Sequence, residues 1–283
     1  MNSLTQHRRI WQKTPLDFQR QFYYHQNAMT TQEIQSYITS KIFGKNIFTY
    51  DVIDSTNIKA KSLIHHGEGA VVIAEEQTAG RGRLGRSWIS EPKKNLTFSV
   101  IIKPKISQNR IGIVSLYAGL SVAEAIDEII KLHPSCKWPN DVLLDGKKVC
   151  GILSEAVFKG NVLESIVIGI GINVNQSDFP RELQRTATSL FLSSGEEFDR
   201  FKILASVLER LERNYALIQS GELNKVLEKW KGRTNMFGKE ITINQNGHKV
   251  AGIAERIDDD GGLILCTNKG EEKFLAGDVA LCS

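Results

Sequence analysis

The stretch Gly80-Arg81-Gly82-Arg83-Leu84-Gly85-Arg86-Ser87-Trp88 decides which fold this chain adopts. Its glycines stand at the Gly-x-Gly-x-x-Gly spacing that, in a doubly wound α/β sheet, ends a strand and opens a dinucleotide-binding helix. The neighbouring residues do not follow that pattern. Pro92 comes next, then a strand-like run over residues 96–103, and there is no Asp or Glu between Glu91 and Glu124 to hold a ribose. No His-Arg-Asp or Asp-Phe-Gly follows, as a protein kinase would require, and no Walker A sequence occurs. The loop nevertheless suits an anion. Glycines let the backbone turn tightly against a ligand, and Arg81, Arg83 and Arg86 bring three permanent cations of the kind best matched to phosphate and carboxylate. Trp88 adds a flat face for a ring.

Outward from this loop the chain reads as mixed α and β. A helix is expected over residues 30–43, a strand over 46–53, and a helix from a Ser55 cap to a Gly67 stop. A strand over 70–76 leads into the loop, and a helix over 111–132 follows the strand at 96–103. Hairpins turn at Asp145-Gly146 and Lys159-Gly160, the β-branched run 162–174 reads as a central strand, and 198–230 reads as helical. After residue 232 the texture changes to short strands broken by Asn246-Gly247, Asp260-Gly261-Gly262 and Lys269-Gly270, a small open-barrel module of roughly 50 residues.

Composition removes several classes. The 283 residues are 41% hydrophobic and 24% charged, ordinary for a globular protein with one large and one small domain. No apolar run approaches the roughly 18 residues of a membrane helix. Cys136, Cys150, Cys266 and Cys282 show no C-x-x-C spacing and read as reduced thiols, so the expected location is cytoplasmic. The net charge is +4, but residues 1–28 carry a balance of +3 and the rest only +1, which leaves no general basic surface for DNA. Those first 28 residues lack the apolar core of a signal peptide and read as a disordered extension or as sequence upstream of a start at Met29.

Further motifs gain meaning together. Lys137-Trp138-Pro139-Asn140-Asp141 holds a lysine that is either a strand-edge partner of Asp141 or a cation facing a ligand. Ser55-Thr56-Asn57 is a helix cap or a set of neutral donors and acceptors. Gly169-Ile170-Gly171-Ile172-Asn173 reads as a crowded strand end where glycines admit close contact. With Gln77 and with Lys148-Val149-Cys150-Gly151, these motifs resemble, in order and approximate spacing over residues 46–283, the biotin protein ligases.

The resemblance implies a fold, a reaction and a set of roles. The fold is α+β, a mixed β-sheet flanked by helices followed by a small SH3-like β-barrel. It divides the chain into an extension (1–45), a catalytic domain (46–232) and a C-terminal domain (233–283). The reaction joins biotin to ATP as biotinyl-5′-AMP, then passes biotin to a lysine of the carrier protein of a carboxylase. Lys137 and Arg83 are the implied catalytic residues. Ser55, Thr56, Asn57, Gln77, Arg81, Gly82, Arg83, Lys137 and Gly151 would hold biotin; Arg81, Arg83, Arg86, Trp88, Asn140 and Asn173 would hold ATP and the adenylate. Mg²⁺ is expected with the triphosphate, its protein ligands left open and Asp141 or Asn140 offered as an assisting group. About 45 residues precede Asn46, with one helix and no recognition-helix pair, so no DNA binding is expected. No membrane partner is expected either, and both monomer and homodimer stay open. A lipoate or octanoate ligase would leave the Ser-Thr-Asn and Gln77 groups unpaired against an apolar ring. A biotin sensor without turnover would not need Lys137 and the arginine loop.

Overall fold

β-branched and aromatic runs build a seven-stranded sheet at the centre of the protein. A computed structural model describes residues 29–245 and 247–281; the expectations for the N-terminal 28 residues, Asn246 and Cys282 lie outside these. The strands are β1 (Ile47–Ile53), β2 (Val71–Gln77), β3 (Leu96–Ile102), β4 (Ser135–Lys137), β5 (Asp141–Leu144), β6 (Lys147–Lys159) and β7 (Val162–Ile172). They lie in the order β1-β2-β3-β7-β6-β5-β4. β1 and β2 pair in parallel and the other neighbours are antiparallel, so the sheet is mixed as expected, with the 162–174 run central.

The period of two along each strand divides the sheet into two unlike faces. Val71, Ile73, Phe98, Val100, Ile166, Ile168, Ile170 and Ile172 face the main core. They are covered by helix α3 (Ile113–Ile130), which follows α1 (Thr31–Tyr37) and α2 (Thr56–Ser62), and α5 (Arg200–Gln219) and α6 (Leu223–Lys231) pack behind it; a short α4 (Leu190–Ser194) intervenes. The alternate positions Val72, Ile101 and Val167 face the other way, where Ala60 of α2 closes a small second core. Beyond Val167 that second face runs out of side chains, at Gly169 and Gly171.

The C-terminal strands β8 (Glu240–Gln245), β9 (His248–Ile257), β10 (Leu263–Thr267), β11 (Gly270–Phe274) and β12 (Asp278–Leu281) form an antiparallel sheet in the order β11-β10-β9-β8-β12. This is the expected SH3-like unit, with pairing that leaves β11 and β12 as edges. It is seated on the larger sheet: Trp138 Nε1 donates to the Gly261 carbonyl at 2.9 Å, and Ile241, Ile243, Leu263 and Val279 join the main core.

Three elements differ from expectation. α1 stops at Tyr37 because Glu212 accepts the backbone N–H groups of Lys41, Ile42 and Phe43, which a longer helix would have used itself. The 198–230 helix is two helices, broken where Gly221 takes a positive φ of 81°. Ser55 stands at the cap position of α2 but its side chain makes no cap hydrogen bond; the helix ends at Ser62, and a single 3-10 turn continues to His66 before Gly67. Among the described residues no helix is long and apolar enough to cross a membrane.

Candidate active site

One rung of the sheet carries most of the site. Register places Thr97 opposite Gly171, Gly171 opposite Gly151, Gly151 opposite Asp141 and Asp141 opposite Lys137. Residues directly opposite in antiparallel strands share a face. Cys136, Val142 and Cys150, one position along, all lie in the main core. Lys137, Asp141, Gly151, Gly171 and Thr97 therefore lie together on the face turned away from α3. The next rung, Ser99–Gly169–Leu153, lies beside it on the same face.

The glycines of these rungs are occupied by neighbours. A β-carbon on Gly171 would lie 2.3 Å from Cε2 of Trp88, and one on Gly169 would lie 2.2 Å from Oδ1 of Asn57. Gly151 lies under the edge of the same Trp88 ring, 2.9 Å from a β-carbon to Cζ3. The glycine motif thus makes a bare strip on which Asn57 and Trp88 lie flat.

The arginine loop is a short hairpin that opens no helix of the dinucleotide-binding kind. Arg81 and Ser87 form an antiparallel bridge, Gly82 N donates to the Arg86 carbonyl at 2.7 Å, and Trp88 N donates to the Gly80 carbonyl at 3.0 Å. At its tip Leu84 and Gly85 take positive φ angles of 54° and 74°, a conformation that glycine adopts freely and leucine does not. Each arginine meets an acceptor from a different element. Arg81 Nη1 lies 3.5 Å from Glu155 Oε1; Arg83 Nη1 donates to Asn140 Oδ1 at 3.0 Å and towards the Gly277 carbonyl at 3.4 Å; Arg86 pairs with Asp278. Burial pulls the Arg83 guanidinium below its ordinary pKa, against the charges of Asp278 and Asp141.

Two cavities flank the loop. The larger, about 400 Å³, takes Arg86, Lys137, Lys148 and Arg185 as cations, with Trp88, Asn173, Phe179 and Leu183 among its other walls. The smaller, about 100 Å³, lies among Arg81, Gly82, Arg83, Asn140, Gly151 and Asp278. Asp141 is not the partner of Lys137, one of the two readings open for that lysine: its Oδ1 lies 2.6 Å from Lys148 Nζ. The Lys148 ammonium also lies 5.7 Å from the Trp88 ring centroid. Trp88 Nε1 is buried and has no hydrogen-bond partner among the described residues. A ligand acceptor would satisfy it.

Ser55, Thr56, Asn57 and Gln77 line neither cavity. Ser55, Thr56 and Asn57 are each 3% exposed or less, and Thr56, Asn57 and Gln77 form a network with Ser99 beside the glycine strip. Gln77 Oε1 accepts from Thr56 N at 2.7 Å and Thr56 Oγ1 at 3.1 Å; Ser99 Oγ lies 2.6 Å from Asn57 Oδ1; Asn57 Nδ2 donates to Leu153 O at 3.1 Å and Glu155 Oε2 at 2.8 Å. Glu155, which also pairs with Lys61 at 2.7 Å, joins this network to Arg81. Burial alone would raise its carboxyl, but hydrogen bonds from Lys61 and Asn57 and the charges of Lys61 and Arg81 hold it below the ordinary value. Asn173 donates Nδ2 to the Thr188 carbonyl at 3.0 Å, tying down the segment that walls the larger cavity.

Glu155, Ser99, Arg185 and Asp278 were not among the residues expected from sequence. They are isolated side chains in unrelated segments: strand register brings in Ser99 and Glu155, the docking of the C-terminal sheet brings in Asp278, and the bridge between Ala187 and Lys148 holds the segment that carries Arg185. Magnesium finds no cage: among the described residues no three His, Cys, Asp or Glu side chains are placed to hold a metal. Asp141 is paired with Lys148, and Asn140 Oδ1 accepts from Arg83. That donor set fits a Mg²⁺ carried mainly by substrate phosphates and water.

Residues 50–173 match the Biotin/lipoate A/B protein ligase family and residues 236–281 match the Biotin protein ligase C terminal domain. The chain is 34% identical over 257 residues to the bifunctional ligase/repressor BirA of Bacillus subtilis, spanning 89% of this chain and 79% of that protein. It is 36% identical over 218 residues to the biotin--[acetyl-CoA-carboxylase] ligase of Mycobacterium tuberculosis, spanning 75% and 79%. The biotin protein ligase from Aquifex aeolicus in complex with biotin and ATP superposes with a TM-score of 0.73 at 33% identity, over 84% of this chain and 99% of that one.

Proposed function

The chain belongs to the biotin protein ligase family and is a ligase, and we propose that it activates biotin with ATP to biotinyl-5′-AMP and transfers the biotinyl group to a lysine of a carboxylase carrier protein. The single observation that carries this reading is the rung on which Lys137, Gly151 and Gly171 share one bare face beneath the arginine loop. In this reading residues 46–232 hold the reacting groups and residues 233–283 support them.

Biotin's ureido ring needs donors and acceptors once buried. The network of Thr56, Asn57 and Gln77, with Ser55 beside it, offers them at one end of the strip, and the valeryl chain runs from there past Asn57 and Trp88, the side chains that lie over Gly169 and Gly171. Its carboxylate then comes to the rung of Lys137 and Gly151, under Arg81, Gly82 and Arg83. The adenine fits the larger cavity against Trp88, Phe179 and Asn173, with the phosphates towards Lys137, Arg86 and Asn140.

In the first step a carboxylate oxygen of biotin attacks the α-phosphorus and pyrophosphate leaves. Two anions must approach, so fixed cations aimed at the reacting oxygens lower the barrier. Lys137 and Arg83 fill that role. Bound magnesium would neutralise charge on the departing pyrophosphate. In the second step the carrier's amine attacks the acyl carbon and AMP leaves. The hairpin loop over the site keeps water from the mixed anhydride between these steps.

ATP–pyrophosphate exchange with biotin, lipoate and octanoate in turn is the test. Exchange with biotin alone, followed by a biotin-sized mass gain on a carrier domain, is the expected result. Exchange with lipoate and not biotin moves the substrate to the sister branch, and biotin binding without exchange removes the ligase reading.

A further inference from the structure

We propose that Asp278 is a positioning residue for the adenylation step. Its carboxylate holds Arg86, and the adjoining Gly277 carbonyl holds Arg83, so that the C-terminal sheet sets the arginine loop over the site before ATP arrives. This rests on the reading of the loop as the phosphate-binding element.

A carboxylate among phosphate-binding guanidinium groups repels the ligand, so its presence there calls for a compensating role. Arg86 has a side chain 64% exposed and Asp278 one 30% exposed. Without a partner, so exposed an arginine spreads over many rotamers, and a phosphate must order it on binding. A guanidinium has five N–H donors. The Asp278 contact is made by Nη2, and the remaining donors stay available to a phosphate. Arg83 is held in the same way from two sides, by Asn140 Oδ1 at 3.0 Å and the Gly277 carbonyl at 3.4 Å.

The holder is itself rigid. Asp278 opens β12 and is paired in register with Asn244 of β8. The sheet behind it is anchored by the Trp138 Nε1 hydrogen bond to Gly261 at 2.9 Å. There the backbone is so close that a β-carbon on Gly261 would lie 3.0 Å from Ile113 N, at the start of α3. Residues 137–140 therefore serve three ends at once: Lys137 on the reacting rung, Trp138 as the seat of the small sheet, and Asn140 as one of the two holders of Arg83. The small sheet and the reacting rung are fixed to one short segment, and the arginine loop is stretched between them.

Full-length protein with Asp278→Asn tests the idea by two readouts. Trypsin cuts after Arg81, Arg83 and Arg86 only when the loop opens, and mass spectrometry locates the cuts. The ligand-free variant is expected to be cut in the loop about fivefold faster than the parent at unchanged thermal midpoint, the gain that loss of a modest exposed ion pair allows. The KM for ATP in the exchange assay should rise about fivefold, falling on KM more than on kcat, and Asp278→Glu, which keeps the charge, should restore both. Unchanged cleavage overturns the proposal, as does faster cleavage with an unmoved KM. If the parent shows no exchange with biotin, lipoate or octanoate, the functional reading fails, and the cleavage rates alone still decide whether Asp278 holds the loop.

Discussion

The two ends of the glycine strip are built on opposite plans. At the neutral end Thr56, Asn57, Gln77 and Ser99 are linked by hydrogen bonds of 2.6–3.1 Å, with Thr56 and Asn57 each at 3% exposure and Ser99 at 0%. At the cationic end Arg81 and Arg86 have side chains 49% and 64% exposed, each facing a single carboxylate. The first end is complete before any ligand arrives, so it recognises by fit. The second is held by groups that a phosphate can outcompete, so it responds to charge, salt and loop position.

Removing a cation should separate the ends most sharply. Lys137→Ala is expected to lower the exchange kcat about 10²- to 10³-fold, roughly 3–4 kcal/mol, while calorimetry finds biotin binding weakened by a much smaller factor, that of one contact to its carboxylate. A loss below tenfold in kcat would take Lys137 out of the reacting centre. The neutral end breaks next: Gly169→Ala puts a β-carbon 2.2 Å from Asn57 Oδ1. Displacing that buried amide should weaken biotin about 100-fold, roughly 2–3 kcal/mol, with ATP binding retained. Equal loss for both ligands would show that the strip is a common floor and that the ends are not separate.

Salt and pH are gentler probes. Raising sodium chloride from about 0.05 M to about 0.5 M shortens the screening length, and should raise the KM for ATP several-fold while the Kd for biotin stays within about a factor of two. The Glu155 carboxyl is held below its ordinary value of 4.5 in the folded protein. Its contribution is therefore fully present above that value and lost as pH falls through the lower native value. The thermal midpoint should drop faster below that pH in the parent than in Glu155→Gln, followed by calorimetry. Parallel curves would mean that Glu155 does not join the two ends.

Local chemistry made much of this legible in the sequence. Asp145-Gly146 and Lys159-Gly160 mark hairpins that the structure contains, and the β-branched run through 162–174 is the central strand. Long-range contacts overrode the local signal elsewhere. The helix expected over 30–43 yields to a carboxylate about 170 residues away, Glu212, that takes its backbone donors. The three-residue β4 is too short to show a period and exists only because β5 pairs with it. The site divides along the same line. Lys137 and the arginine loop announce themselves as motifs, whereas Glu155 and Asp278 are lone acidic residues whose meaning comes from what the fold sets opposite them.

The placement of Trp88 has an optical consequence. Of the four tryptophans in the chain, Trp138 and Trp230 are sealed in the core at 1% exposure, and Trp11 lies outside the described residues. Trp88 lies on the glycine strip at the wall of the larger cavity, with an ammonium 5.7 Å from its ring centroid. An aromatic base entering that cavity would change the surroundings of this indole while the core tryptophans keep theirs. The protein thus carries its own emission probe for occupancy of the cavity, and inhibitor titrations could be read from ultraviolet fluorescence without labels, with Trp88→Phe as the blank.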